Sequence, residues 1–329
     1  MSAAVATPRG RSTGAPGARS VRRGRRALGG LAVLGALVLA VAGCTPTTAP
    51  EPGAAPTIEV AGDFGIRPTI TIPDGFTVGE TSTATLVTGD GPVLVDGQSV
   101  LADYLAENVT TGEVVADTYE GLPEIRTFSV DDLGQPLYDL LEGATIGSRL
   151  LRVELGTDAD PNPHVLVLDL LPLRAQGEPL EPLPAMPTVT LADDGAPTVA
   201  IPDAAPPVSV ASTVLIKGAG PQVTLGQSVV LQLVAVRWSD GAVADSTWGV
   251  APRAVALADL PTGLLAGLVE QTVGSQVLVV VPPADGNGQD TLVYVADILA
   301  TGDVAVGPSG TEGQPGGDPT AGATDAPTG

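Results

Sequence analysis

An internal repeat constrains the fold of this chain more than any other feature of its sequence. The turn Gly89-Asp90-Gly91-Pro92 recurs 129 residues later as Gly218-Ala219-Gly220-Pro221. The same interval relates further pairs: Pro68 and Pro197, Gly97-Gln98-Ser99-Val100 and Gly226-Gln227-Ser228-Val229, and Tyr119 and Trp248. A constant interval across so many turn and aromatic positions indicates a duplicated structural unit.

Each unit has the pattern of an antiparallel sheet with one short helix. In the second unit, valine-rich stretches at 227–236, 276–281 and 291–299 are bounded by glycine and aspartate turns, which is typical of strands. The apolar run from Leu264 to Leu268, with Gly274 after it, predicts a short helix on that sheet. Units of about 115 residues can bury a core of their own. The predicted fold class is therefore α+β, with two tandem domains.

Composition sets the domain boundaries. Residues 57–173 and 187–301 are the two predicted domains, and a proline-rich linker at 174–186 joins them. The segments 44–56 and 302–329 are rich in Pro, Thr, Ala and Gly and contain few large apolar residues. Such segments cannot offset their chain entropy by burial, so a disordered tether and a disordered tail are predicted.

Residues 1–43 have the features of a lipoprotein signal peptide. An arginine-rich start precedes an apolar run at 27–42, which is shorter than the ~20 residues of a membrane span. The run ends in Val41-Ala42-Gly43-Cys44, which resembles the bacterial lipobox. This resemblance implies cleavage before Cys44 and a lipid on its thiol. The mature protein is then expected outside the cytoplasm, anchored to the outer face of the bacterial cell membrane. An uncleaved N-terminal anchor is the alternative.

The charge distribution excludes several partners. Seven of the 15 basic residues and none of the 37 acidic ones lie in 1–43, so the remainder has eight basic residues and a net charge of −29. Such a surface repels phosphates and anionic lipid headgroups, so nucleic acid is not an expected partner and membrane attachment depends on the lipid at Cys44. The single cysteine also leaves no intrachain disulfide.

The second unit carries an ordered series of motifs. The series is Gly226-Gln227-Ser228-Val229-Val230, Ser239-Asp240-Gly241, Asp245-Ser246-Thr247-Trp248, Gly263-Leu264, Val281-Pro282-Pro283 and Tyr294-Val295-Ala296-Asp297. In order and spacing it resembles the FKBP-type peptidyl-prolyl isomerases, and it is especially similar to the FKBP-like lipoproteins of actinobacteria. Because the first unit has the same register, the resemblance covers both units.

The resemblance implies that each domain is a half-open antiparallel sheet wrapped over one short helix. An apolar hollow between sheet and helix would take a proline side chain. Isomerisation of an X-Pro bond needs only that the twisted amide bind better than either planar form, so no cofactor and no metal are expected. The implied partners are proline-containing exported polypeptides, whose folding the protein would assist.

Carried over by position, the hollow of the second unit keeps some family residues and loses others. Asp245 matches the acidic residue, and Tyr294 matches the aromatic residue of the last strand. Leu233 and Leu264 stand where the family has tyrosine and tryptophan. The smaller apolar walls predict weak activity. An ion pair of Asp245 with a nearby arginine, either Arg237 or Arg253, is the structural alternative to a catalytic role.

The backbone donor for the substrate carbonyl falls either at Pro261 or, if Thr262 is an inserted residue, at Leu260. Proline has no N–H, so a match to Pro261 would abolish that hydrogen bond. In the first unit, Tyr104 matches the strand tyrosine, but Val115 and Ala116 replace the family's Phe-Asp pair.

Two other functions remain open. A catalytically inactive FKBP-like module that binds peptides or proteins would keep the fold and the hollow. A structural spacer would lack a concave apolar site. Other chemistry is not supported: His164 has no identifiable serine partner, and the acidic loops at 158–164 and 285–290 lack the glycine and glutamate of a calcium loop.

Overall fold

The computed structural model describes residues 57–158, 160–286 and 288–303, all within one compact unit. The predictions for the signal peptide, Cys44, the tether and nearly all of the tail lie outside the described residues. Within the described ranges, no helix is both long and apolar enough to cross a membrane.

The first half begins with a hairpin, continues as a six-stranded sheet, and contains one helix. The hairpin pairs β1 (Glu59–Ala61) with β2 (Thr69–Thr71). The sheet consists of β3 (Ser82–Val87), β4 (Ser99–Asn108), β5 (Val114–Asp117), β6 (Glu124–Thr127), β7 (Arg149–Glu154) and β8 (His164–Leu170). Helix α1 (Val130–Leu141) lies between β6 and β7 in the chain.

The second half repeats this plan. Its elements are β9 (Glu178–Pro179), the hairpin strands β10 (Thr188–Leu191) and β11 (Pro197–Ala200), β12 (Ala211–Lys217), β13 (Ser228–Arg237), β14 (Val243–Ser246), β15 (Arg253–Ala256), α2 (Thr262–Leu268), β16 (Gln276–Val281) and β17 (Leu292–Gly302). The described part of the chain is therefore mostly β-sheet with two helices, which is compatible with an FKBP-like fold.

The two sheets have the same strand order. The first runs β3-β7-β8-β4-β5, with β6 also paired to β4. The second runs β12-β16-β17-β13-β14, with β15 also paired to β13. Strands β3 to β6 start 129 residues before β12 to β15, so the repeat seen in the sequence is a repeat of structure. After the helices the interval shortens, because α2 is shorter than α1.

Each half has its own core between sheet and helix. In the second half, α2 packs against a cluster that includes Leu231, Leu257 and Val279. A Cβ at Gly267 would overlap the side chain of Val279, so this glycine lets the helix backbone lie directly on β16. In the first half, the ring of Tyr138 on α1 stacks on Phe128 with 4.7 Å between centroids.

The two halves also share an apolar cluster. Its buried members are Leu101, Leu171, Val230, Leu299 and Ala300. Leu101 and Val230 occupy equivalent positions of the repeat, as do Leu171 and Leu299, so the contact is isologous, like that of a two-fold dimer. The segment 174–186, predicted as a linker, supplies strand β9, which pairs with β12.

Candidate functional site

The residues predicted for the second hollow converge in the structure. Leu233 on β13, Tyr294 on β17, Leu264 on α2 and the partly buried Leu260 all belong to one apolar cluster. The exposed fractions of Leu233, Leu264 and Tyr294 are 3%, 1% and 8%. The junction of sheet and helix is therefore filled by the protein's own side chains.

Asp245 lies next to this cluster and forms an ion pair. Arg253 donates from Nη1 and Nη2 to its two carboxylate oxygens, at 2.8 and 3.2 Å. Arg237, the other candidate partner, pairs with Asp240 instead. The Arg253 hydrogen bond lowers the pKa of Asp245, while burial, and then the charge of Asp245, raise the pKa of Tyr294. Asp245 is thus an anion neutralised by Arg253 and close to the tyrosine.

Neither candidate donor for a substrate carbonyl has a free N–H. The Leu260 N–H donates to the Leu257 carbonyl at 3.2 Å, and Pro261 has none. Thr262 Oγ1 donates to the Asp285 carbonyl at 3.2 Å, which holds the loop after β16 against the start of α2. The hydrogen bond that the family resemblance leads one to expect has no donor at either position.

The equivalent place in the first half is less filled. Tyr104 on β4 is half-buried, and its hydroxyl donates to Glu124 Oε1 at 2.8 Å. Burial and this hydrogen bond raise the pKa of Tyr104 to about 12. Leu137 and Leu166 line the same cluster and are only partly buried. Sequence reasoning missed Glu124, because its contact with Tyr104 depends on the pairing of β4 with β6.

A buried ion pair in the first half is a second feature that the sequence did not reveal. Arg149 donates from Nε and Nη2 to the two carboxylate oxygens of Asp169, each at 2.7 Å. Its remaining donors reach backbone carbonyls in the loop 62–66, and Asp169 accepts the N–H of Gly65 at 2.8 Å. The pair therefore binds the β1–β2 hairpin to the sheet.

At the equivalent position of the second half, Gln276 replaces the arginine. Gln276 Nε2 donates to Asp297 Oδ1 at 2.8 Å, and the Ala175 N–H donates to Oδ2 at 2.7 Å. Burial raises the pKa of Asp297 to about 6, and the same cause raises that of Asp103 to about 6. Asp297 holds the segment between the halves without an arginine in direct contact.

Two cavities lie between the halves and are related by the repeat. One, of about 660 Å³, has Asp103 and Tyr119 on one side and the turn Ala219-Gly220-Pro221 on the other. The other, of about 780 Å³, has Gln232, Trp248 and the turn Asp90-Gly91-Pro92. Neither is lined by the residues of the predicted hollows.

No cluster of three or more metal-ligating side chains occurs in the described ranges. His164 opens β8, with Nε2 3.4 Å from Asp160 Oδ2. It therefore has a carboxylate neighbour of its own.

Comparisons with known proteins complete the description. No family model matches the chain. No curated protein matches it either. Solved structures that are similar to it are FKBP-type isomerases. FkpA from Escherichia coli shares 19% identity at a TM-score of 0.27, over 35% of this chain and 51% of FkpA, so the chain spans about half the length of that protein.

Two further structures are similar at the same TM-score. The three FKBP domains of wheat FKBP73 share 16% identity at a TM-score of 0.27, over 68% of this chain and 95% of that one. A peptidyl-prolyl cis-trans isomerase from Pseudomonas syringae pv. tomato shares 20% identity at a TM-score of 0.27, over 36% of this chain and 83% of that one. At these values the function has to be argued from the residues of this chain.

Proposed function

We propose that this protein is a lipoprotein on the outer face of the bacterial membrane, with two tandem FKBP-like domains at 57–173 and 187–301. In this proposal Cys44 carries the lipid, and the domains bind proline-containing exported polypeptides and catalyse X-Pro isomerisation slowly. The observation that carries the proposal is the convergence of Asp245, Tyr294, Leu233 and Leu264 where sheet and helix meet.

The site is proposed to be degenerate. Leucines 233 and 264 offer less apolar surface than the aromatic residues of the family, and neither Leu260 nor Pro261 has a free N–H. Each loss weakens discrimination for the twisted amide, and 1.36 kcal/mol corresponds to a factor of ten in rate. We expect a rate at least about a hundredfold below that of an FKBP with complete aromatic walls.

A prolyl-peptide isomerisation assay tests the proposal. Wild-type protein should show a slow rate above background, and Tyr294→Ala and Asp245→Ala should each reduce it. Asp240→Ala is the matched control, because Asp240 also pairs with an arginine but lies at the β13–β14 turn. Real activity that survives both site substitutions would refute the assignment of the site.

The second candidate function is a catalytically inactive module that binds peptides. The closed packing of Leu264 and Leu233 favours it, because an isomerase must admit a proline side chain. Binding of proline-containing peptides without any detectable rate acceleration would establish this alternative.

Localisation has its own test. Cys44→Ser should leave the protein uncleaved or release it from the membrane fraction, because stable anchoring takes about two acyl chains. Processing and fractionation like those of the parent would contradict the lipoprotein proposal.

A further inference from the structure

The two sheets end in equivalent strands whose outer edges differ. β3 is the last strand of the first sheet, and β12 occupies the same place in the second. β12 pairs on its outer side with β9, whereas β3 has no outer partner among the described residues. The protein thus contains one occupied and one open copy of the same edge.

The occupied edge shows what kind of chain fits it. β9 is extended and antiparallel, with Pro179 opposite Ile216, and the Leu180 N–H donates to the Leu215 carbonyl at 2.8 Å. A Cβ at Gly177 would overlap the Lys217 carbonyl oxygen, so the approaching chain needs glycine there. Proline is tolerated in such a strand because an edge strand does not need every N–H. The fitting chemistry is therefore an extended Gly-x-Pro-apolar segment.

The open edge has the surface that such a segment would cover. All six residues of β3 are exposed. Leu86 is 40% exposed, whereas its equivalent Leu215 on the occupied edge is 9% exposed. β3 carries no charged residue, so neither lysine nor aspartate protects this edge from strand addition.

We propose that the outer edge of β3 binds an extended, proline-containing segment of an exported polypeptide as an added strand, as β12 binds β9. Main-chain hydrogen bonds would supply the affinity, and Gly-x-Pro-apolar sequences would fit best. The identity of the polypeptide rests on the proposed function, but the edge uses none of the residues of the hollow. Binding at β3 and isomerisation can therefore fail separately.

The test uses the full chain in detergent and a fluorescent peptide with the sequence of residues 176–182. Anisotropy should show saturable binding of one peptide, and a peptide with valine in place of the glycine should bind at least about tenfold more weakly. In the protein, Gly177→Val should displace β9 and raise the stoichiometry toward two, because the second edge is then open. A stoichiometry that stays at one would contradict the equivalence of the edges.

Proline substitutions locate the site. Successive amides of a strand point to opposite sides, so one of Thr83→Pro and Ala84→Pro removes an outward N–H and leaves the ladder to β7 intact. The variant that keeps the wild-type melting temperature identifies that position. It should bind the peptide about tenfold more weakly or worse, the loss expected for one or two hydrogen bonds. Its prolyl isomerase rate should be unchanged.

Three results would overturn the proposal. The first is unchanged binding in the stable proline variant. The second is loss of binding in Tyr294→Ala instead, which would place the peptide in the hollow. The third is binding that begins only after deletion of residues 45–55, which would make the chain's own N-terminal segment the occupant. Loss of isomerase activity with intact peptide binding would refute the proposed function and leave the edge site standing.

Discussion

The two halves of the molecule place a buried aspartate at the same position of the same strand order and neutralise it differently. Asp169 is bound by the guanidinium of Arg149, whereas Asp297 is bound by the amide of Gln276 and one backbone N–H. Both aspartates hold a neighbouring segment, the loop 62–66 in one half and Ala175 in the other. The comparison teaches that a buried carboxylate needs donors in this fold, but does not need a cation.

The two solutions have different costs. A buried ion pair offsets the desolvation of both charges by close geometry and satisfied donors, and removal of one partner leaves the other uncompensated. A buried carboxylate with only neutral donors responds by holding its proton to higher pH. The raised pKa of Asp297, and the absence of a resolved shift for Asp169, fit this difference.

The largest expected effect is that of Arg149→Met. This change leaves Asp169 buried without its partner and removes three hydrogen bonds to loop carbonyls. We expect the free energy of unfolding to fall by about 3–5 kcal/mol, measured by urea denaturation at pH 7. Arg149→Gln copies the second half and is the control, so it should cost less. Equal losses in both variants would show that the comparison between the halves is not valid.

The next effect concerns Asp297 and pH. Its pKa in the folded state lies above its value of 3.8, so the folded state binds more protons than the unfolded state between about pH 4 and pH 6. Stability therefore falls as the pH rises through this window. Asp297→Asn should raise the free energy of unfolding at pH 7 by roughly 1–3 kcal/mol and flatten the profile.

Asp103→Asn is the companion variant, because Asp103 titrates in the same window. It should remove a separate share of the pH dependence. A wild-type stability that rises from pH 4 to pH 6 and is unaffected by Asp297→Asn would contradict the assignment.

A smaller effect distinguishes the two tyrosines. Tyr104→Phe removes the hydrogen bond to Glu124 and should cost about 1 kcal/mol. Tyr294→Phe should change the free energy of unfolding by less, because the contacts of its hydroxyl include no printed partner bond comparable to that of Tyr104. Thermal denaturation of both variants at pH 7 measures the difference, and a larger loss for Tyr294→Phe would reverse the ranking.

The smallest effect is that of Arg253→Ala. Its ion pair with Asp245 is about half exposed, so its loss should change the free energy of unfolding by less than about 1 kcal/mol. The same change frees Asp245, so the isomerase rate should respond more than stability does. Parallel measurement of melting temperature and rate checks this, and a large loss of stability with an unchanged rate would contradict it.

The independence of the two halves remains a prediction. Fragments 57–173 and 187–301 each contain a sheet, a helix and a core, so each should unfold cooperatively. Both fragments expose the shared cluster around Leu101 and Val230, so each should be less stable than the joined protein. A fragment that is unfolded alone would argue for one intertwined domain.

Sequence by itself determined the duplication, the strands β13, β16 and β17, the position of α2, and the grouping of Leu233, Leu264 and Tyr294. These features follow from local rules, because turn residues and apolar alternation are written in the order of the chain. The choice of Arg253 over Arg237 as the partner of Asp245 was open in the sequence, because it depends on how β14 and β15 flank β13.

Only the tertiary structure decided the rest. The Arg149–Asp169 pair, the Asp297 cap on Ala175, the shared apolar cluster and the cover of β9 on β12 each join residues far apart in the chain. Composition and periodicity report which face of an element is apolar, but not which element it meets. Whether the hollow of the second half is open or filled depends on how closely α2 approaches the sheet. That distance is set by Gly267 against Val279 and by the side chains already packed there.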